Sequence, residues 1–314
     1  MNSSVRRFAW LLLILAAGGF TWAEEQPKVE KPKADEQLQQ LLKQFPDADT
    51  NKDGVLTREE AREYRQKVLA EQAKLAAEVI KPTRADVKYG PAERNVLDFY
   101  QAKPRDPAQS GRPTPLVIYI HGGGFVVGDK TVAPAVVKLF LDSGISLASI
   151  NYRFVDGKDV IFPVPQHDGA RAVQFLRSKA KEWSIDSKRV ACFGGSAGAG
   201  ISMWIGFHED LADPRSDDPI RRESTRIQAI GTFGGQGTYD PPLYMVYSEA
   251  DGPLPPNARP GQGIHHPNFG KQLKQKMDDL DIENVYVFTP DAKGRNVNAE
   301  MVEFFQKQFA KVKD

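Results

Sequence analysis

The chain has 314 residues, 40% of them hydrophobic and 26% charged, with 42 Lys and Arg against 41 Asp and Glu. This is ordinary globular composition, enough for one large α/β domain with a small appendage. The balance of charge offers no basic face to nucleic acid or a polyanion, and a lone cysteine, Cys192, excludes an intrachain disulfide.

Taken in chain order, the N-terminus reads as an export signal over residues 1–23. Arg6 and Arg7 supply the positive region, Phe8–Ala17 is apolar, and Ala23 precedes Glu24 as a small residue suited to cleavage. The apolar run is about half of a membrane span, so no stable membrane insertion is expected after cleavage, and the rest is expected in a secreted or periplasmic compartment. The alternative is an uncleaved anchor. Residues 24–34, rich in Pro, Lys and Glu, read as a linker.

Residues 35–80 read as a helix–loop–helix. Leu38, Leu41, Leu42 and Phe45 have helical spacing, and a second helix is expected from Arg58 to about Glu78. Between them, Asp49 to Glu60 fits the twelve-residue EF-hand loop. Asp49, Asn51, Asp53, the carbonyl of Val55, Thr57 and Glu60 are the expected oxygen ligands for a structural Ca²⁺, with Gly54 at the sharp turn. Pro46 ends the entering helix early, and there is no second loop to pair with this one.

The larger domain spans residues 82–314. Expected strands are Ala85–Tyr89, Asn95–Tyr100, Pro115–Ile120, Ser146–Ile150, Val190–Phe193, Ile227–Phe233, Leu243–Tyr247 and Val285–Phe288. Helices are expected over Val132–Leu141, Gly169–Trp183, Ala199 to about Leu211, Phe269–Leu280 and Glu300–Phe309. This alternation argues an α/β fold: a mostly parallel sheet covered on both faces by helices, preceded by the small helical EF-hand segment. Asp168 is expected to cap the helix after it.

Two loops carry chemistry. After the apolar run Val190–Phe193 comes Gly194-Gly195-Ser196-Ala197-Gly198. A serine at the apex of a strand–turn–helix, with glycines two before and two after, is forced into a strained backbone with its hydroxyl standing clear of the sheet. Pro115–Ile120 runs straight into His121-Gly122-Gly123-Gly124-Phe125. Such a loop can aim the backbone N–H groups of Gly123 and Gly124, together with that of Ala197, at a developing oxyanion.

These residues resemble the α/β-hydrolase superfamily, and within it carboxylesterases like hormone-sensitive lipase and the acetyl-xylan and feruloyl esterases. The resemblance rests on H-G-G-G-F at His121–Phe125, N-Y-R at Asn151–Arg153, G-G-S-A-G at Gly194–Gly198 and Y-S-E-A-D at Tyr247–Asp251. An EF-hand behind a signal peptide and ahead of such a domain resembles a secreted planctomycete-type arrangement. The resemblance implies a serine esterase acting on a small ester or carbohydrate ester, with no cofactor in the catalytic step. Only Gly234–Asp240 separates the strand at Phe233 from Pro241, which implies an open, shallow site.

The family order is Ser, acid, His. Asp251, following the strand Leu243–Tyr247, is the expected acid. The family places its histidine after the last strand, where this chain reads Thr289-Pro290-Asp291-Ala292-Lys293-Gly294. Of five histidines, only His265 and His266 follow Asp251. Three readings stay open: His265 or His266 is the base; the fold is a catalytically impaired binding or scaffold protein; or Lys293 or another group substitutes.

Overall fold

The computed structural model describes residues 45–76, 80–235, 241–254 and 263–313, together with Leu38 and Leu42. The expected export signal, the expected linker and most of the expected entering helix lie outside the described residues. The chain separates into two units, Met1–Val79 and Ile80–Asp314.

In the first unit a 3-10 turn, Pro46–Ala48, leads into the acidic loop, and helix α1 follows at Arg58–Ala76. The helix start is a reciprocal capping box. Glu60 N–H donates to Thr57 Oγ1 (3.2 Å), and Thr57 N–H donates to Glu60 Oε2 (3.1 Å), so two otherwise orphaned amides are satisfied.

The second unit is built on one eight-stranded sheet. Its strands are β1 Arg84–Lys88, β2 Val96–Tyr100, β3 Thr114–Ile120, β4 Ser146–Ile150, β5 Ile185–Gly195, β6 Ala229–Phe233, β7 Leu243–Tyr247 and β8 Asn284–Phe288, ordered β1-β2-β4-β3-β5-β6-β7-β8. The β1–β2 and β2–β4 pairs are antiparallel and the others parallel. The helices are α2 Pro134–Asp142, α3 Val164–Ser178, α4 Ala197–Phe207, α5 Pro267–Asp279 and α6 Val297–Ala310.

Both faces of the sheet are covered, which is why its central strands read as unbroken apolar runs. Leu116, Ile118 and Ile120 of β3 join Cys192 of β5 and Ile201 and Ile205 of α4 in one buried cluster. The alternate residues turn to the other face. There the rings of Tyr119 and Phe193 meet tilted, with centroids 5.1 Å apart, and Phe193 meets Phe140 of α2 at 5.2 Å. Burial pushes the Cys192 thiol up to about 12, so it is an inert core residue.

The largest departure from the sequence expectation among the helices is in α3, while α4 ends at Phe207 rather than near Leu211 and α6 begins at Val297 rather than Glu300. α3 begins at Val164, with proline in its first turn, rather than at Gly169. Proline suits that position, because it lacks the N–H that a helix start leaves unpaired. Asp168 therefore lies inside the helix and is no cap. Its buried carboxylate accepts from Arg153 Nε (2.9 Å), Arg153 Nη2 (2.6 Å) and Arg153 N–H (2.9 Å), fixing the segment after β4.

Candidate active site

Ser196 sits between β5 and α4 with φ 50° and ψ −116°, a backbone region that L-residues rarely occupy. Two bonds hold it there: Ser196 N–H donates to Phe233 O and Gly200 N–H to Ser196 O, both at 3.0 Å. The flanking glycines have a packing reason. A Cβ on Gly198 would lie 1.9 Å from the Ile120 carbonyl oxygen, and one on Gly194 would lie 2.4 Å from it. Only bare backbone lets the start of α4 approach the end of β3.

That approach brings the glycine loop to the serine. A Cβ on Gly122 would stand 2.8 Å from Gly195 O and 3.6 Å from Ser196 Cβ. Gly123 and Gly124 have φ of 112° and 59°. The N–H groups of Gly123, Gly124 and Ala197 donate to no acceptor among the described residues. The loop's shape is held from behind. His121 is buried and stacked on Tyr152 at 4.4 Å, with Nδ1 2.7 Å from Gly122 O. Arg94 donates to Tyr152 O (2.8 Å) and Gly128 O (3.0 Å) and lies over the Phe154 ring at 3.7 Å. Burial, helped by the Arg94 charge, holds the His121 imidazole below its usual range and so neutral.

His265 meets the serine. Its Nε2 lies 2.9 Å from Ser196 Oγ, and its Nδ1 lies 3.3 Å from Glu249 Oε1. Beneath the ring is Gly234, with φ 64°, where a Cβ would lie 3.0 Å from two of the ring carbons. The other candidates fall elsewhere. Asp251 pairs with Lys271 of α5, so the carboxylate at the imidazole is Glu249 and not the expected Asp251. His266 caps α5: its Nδ1 accepts from Asn268 N–H (3.1 Å) and its Nε2 faces Gly252 O (2.8 Å). Both its nitrogens are thus engaged away from Ser196. His167 and His208 flank Trp204, and Lys293 is exposed. Glu249, Gly234 and Arg94 were not anticipated. Glu249 had a signal, being the first of the two acidic residues of Y-S-E-A-D, but only the long-range fold chooses between the two.

In the first unit, Asp49 Oδ2 accepts from Gly54 N–H at 2.8 Å, while Oδ1 is buried without a partner. Asn51 Oδ1 accepts from Asp53 N–H, and Asp53 Oδ1 from Val55 N–H, both at 2.8 Å. Hydrogen bonds from the Thr57 hydroxyl and amide, followed by those of Thr50 and Asn51, bring the Glu60 carboxyl down to about 2. Among the described residues, no three His, Cys, Asp or Glu side chains converge as a metal cluster. The oxygen-rich loop and the orphaned Asp49 oxygen nonetheless suit a hard cation.

Set beside known proteins, residues 97–236 match the family model described as BD-FAE. The chain is 28% identical over 160 residues to a probable isoprenylcysteine alpha-carbonyl methylesterase of Arabidopsis thaliana, and 30% over 157 residues to one of Oryza sativa subsp. japonica. These matches take in 50% and 49% of this chain but only 31% and 35% of those proteins. Among solved structures, a truncated carbohydrate esterase from gut microbiota superposes with TM-score 0.56 at 18% identity, over 73% of this chain and 96% of that one. The propionate-bound esterase Est2 of the planctomycete Thermogutta terrifontis does so with TM-score 0.54 at 18% identity, over 73% and 97%. The fold is that of the α/β hydrolases.

Proposed function

We propose that the protein is a serine carboxylesterase that hydrolyses small or carbohydrate-linked acyl esters. The observation that carries this reading is the 2.9 Å contact between Ser196 Oγ and His265 Nε2, with Glu249 at the opposite ring nitrogen. That arrangement has the geometry of a nucleophile, a base and an orienting acid. It favours catalysis over a silent binding protein. The esterase names of the relatives agree with it.

In the proposed reaction Ser196 Oγ attacks the ester carbonyl as its proton passes to His265 Nε2. The carbonyl oxygen becomes an oxyanion received by the N–H groups of Gly123, Gly124 and Ala197, each worth about 3–4 kcal/mol of barrier. The tetrahedral species collapses, and the alcohol leaves with the proton from His265. Water, deprotonated by the same imidazole, then cleaves the acyl-serine and regenerates the hydroxyl. Glu249 accepts from Nδ1–H, holding the tautomer that leaves Nε2 free to take the proton. No cofactor enters these steps.

Two accessory readings complete the proposal. The loop from Asp49 to Glu60 would hold a structural calcium ion through Asp49, Asn51, Asp53, Val55, Thr57 and Glu60, and residues 1–23 would direct export. The catalytic reading is tested with p-nitrophenyl acetate. The wild type should turn it over, and Ser196→Ala should lower kcat by roughly 10⁶-fold. Wild-type turnover no greater than that of the alanine variant would sink it.

A further inference from the structure

A base placed directly after a sheet strand inherits the rigidity of the sheet. His265 does not have that support; it lies two residues before the first turn of α5, on a separate stretch of chain from Glu249. Something has to hold the two segments in register. The neighbouring side chain spans the gap. His266 Nδ1 accepts from Asn268 N–H inside α5, and His266 Nε2 lies 2.8 Å from the carbonyl of Gly252, three residues beyond Glu249. One ring nitrogen accepting while the other donates is the bonding pattern of a neutral imidazole with its proton on Nε2. The ring therefore joins the segment that carries the acid to the helix start that carries the base. Gly234 beneath His265 leaves the imidazole room to settle between Ser196 and Glu249.

We propose that His266 is a positioning residue for the reaction proposed above: its bond to Gly252 holds His265 between Ser196 Oγ and Glu249. The inference rests on the esterase reading for its kinetic consequence, but not for its structural one.

His266→Asn separates clamp from cap. Asparagine is a good N-cap and can still accept from Asn268 N–H, but it is too short to reach Gly252. The expected result is a melting temperature close to wild type, KM within about twofold, and kcat lower by roughly ten- to a hundredfold, the scale of a misplaced catalytic group. The second readout is the downfield proton resonance of His265 Nδ1–H held by Glu249, assigned by its absence in His265→Gln. It should be present in the wild type and broadened away in His266→Asn. Wild-type kcat together with a retained resonance in His266→Asn overturns the positioning role and leaves the esterase reading intact. If the wild type shows no Ser196-dependent turnover, the esterase reading fails and the resonance alone decides. Loss of the signal in His266→Asn then upholds the clamp, and its persistence, or its absence from the wild type, overturns it.

Discussion

Glu249 and Asp251 leave the same strand two residues apart, yet they meet opposite environments. Glu249 faces the His265 imidazole, and Asp251 faces the Lys271 ammonium on α5. The difference predicts different mutational costs. Glu249→Gln keeps the shape but removes the charge that steadies an imidazolium, so kcat for p-nitrophenyl acetate should fall by roughly 10²–10⁴-fold. Asp251→Asn breaks a partly exposed ion pair worth about 0–1 kcal/mol, and turnover should stay within about threefold. Steady-state kinetics on the two variants would reverse the assignment if the costs were exchanged. Ser196 and the glycine loop were legible in the sequence because strained turns and close backbone approach leave glycines at fixed spacing. The acid was not legible, since its choice depends on where Lys271 and His265 arrive from outside the strand.

At the scale of the element, α3 shows how a helix boundary is misread. Pro163 and Pro165 lie ahead of the start expected at Gly169, but proline costs little in a first helical turn, and the helix starts ahead of Asp168. The carboxylate that looked like a cap is instead the acceptor for Arg153, both main chain and guanidinium. Arg153 is the anchor of Asn151-Tyr152-Arg153, and Tyr152 in turn donates to His121 O (3.0 Å) at the head of the glycine loop. Asp168→Ala would leave a partly buried backbone N–H without its acceptor, while the Arg153 side chain, 38% exposed, keeps water as a partner. The expected loss is about 1–3 kcal/mol of unfolding free energy. It should be read as a lower urea midpoint at unchanged m-value. An unshifted midpoint would mean that Asp168 does not anchor the segment.

At the scale of the whole molecule, alternation of strand and helix was enough to foresee a covered, mostly parallel sheet, because buried strands must be apolar on both sides. Strand order was not legible, since apolar runs do not record which neighbour they pair with. The acidic loop poses the reverse problem, with its pattern clear and its occupant proposed. Asp49 carries an oxygen buried without a partner, whereas both Glu60 oxygens are taken by Thr50, Asn51 and Thr57 donors. Calcium binding must therefore repay Glu60 for the donors it releases, which argues for affinity at the weak end of such loops, about 10⁻⁴–10⁻³ M. Because an ion that binds only the folded form stabilises it by mass action, 10 mM calcium should add roughly 1.4–2.7 kcal/mol. Calorimetry should show this as an upward shift of the unfolding transition of the first unit. Asp49→Asn, which retains an acceptor for Gly54 N–H but loses the charge, should remove most of the shift. Measuring each variant with and without calcium cancels any change the substitution makes to the metal-free fold. Equal shifts in wild type and Asp49→Asn would place the ion elsewhere, and no shift in the wild type at 10 mM would leave the loop a capped helix start and nothing more.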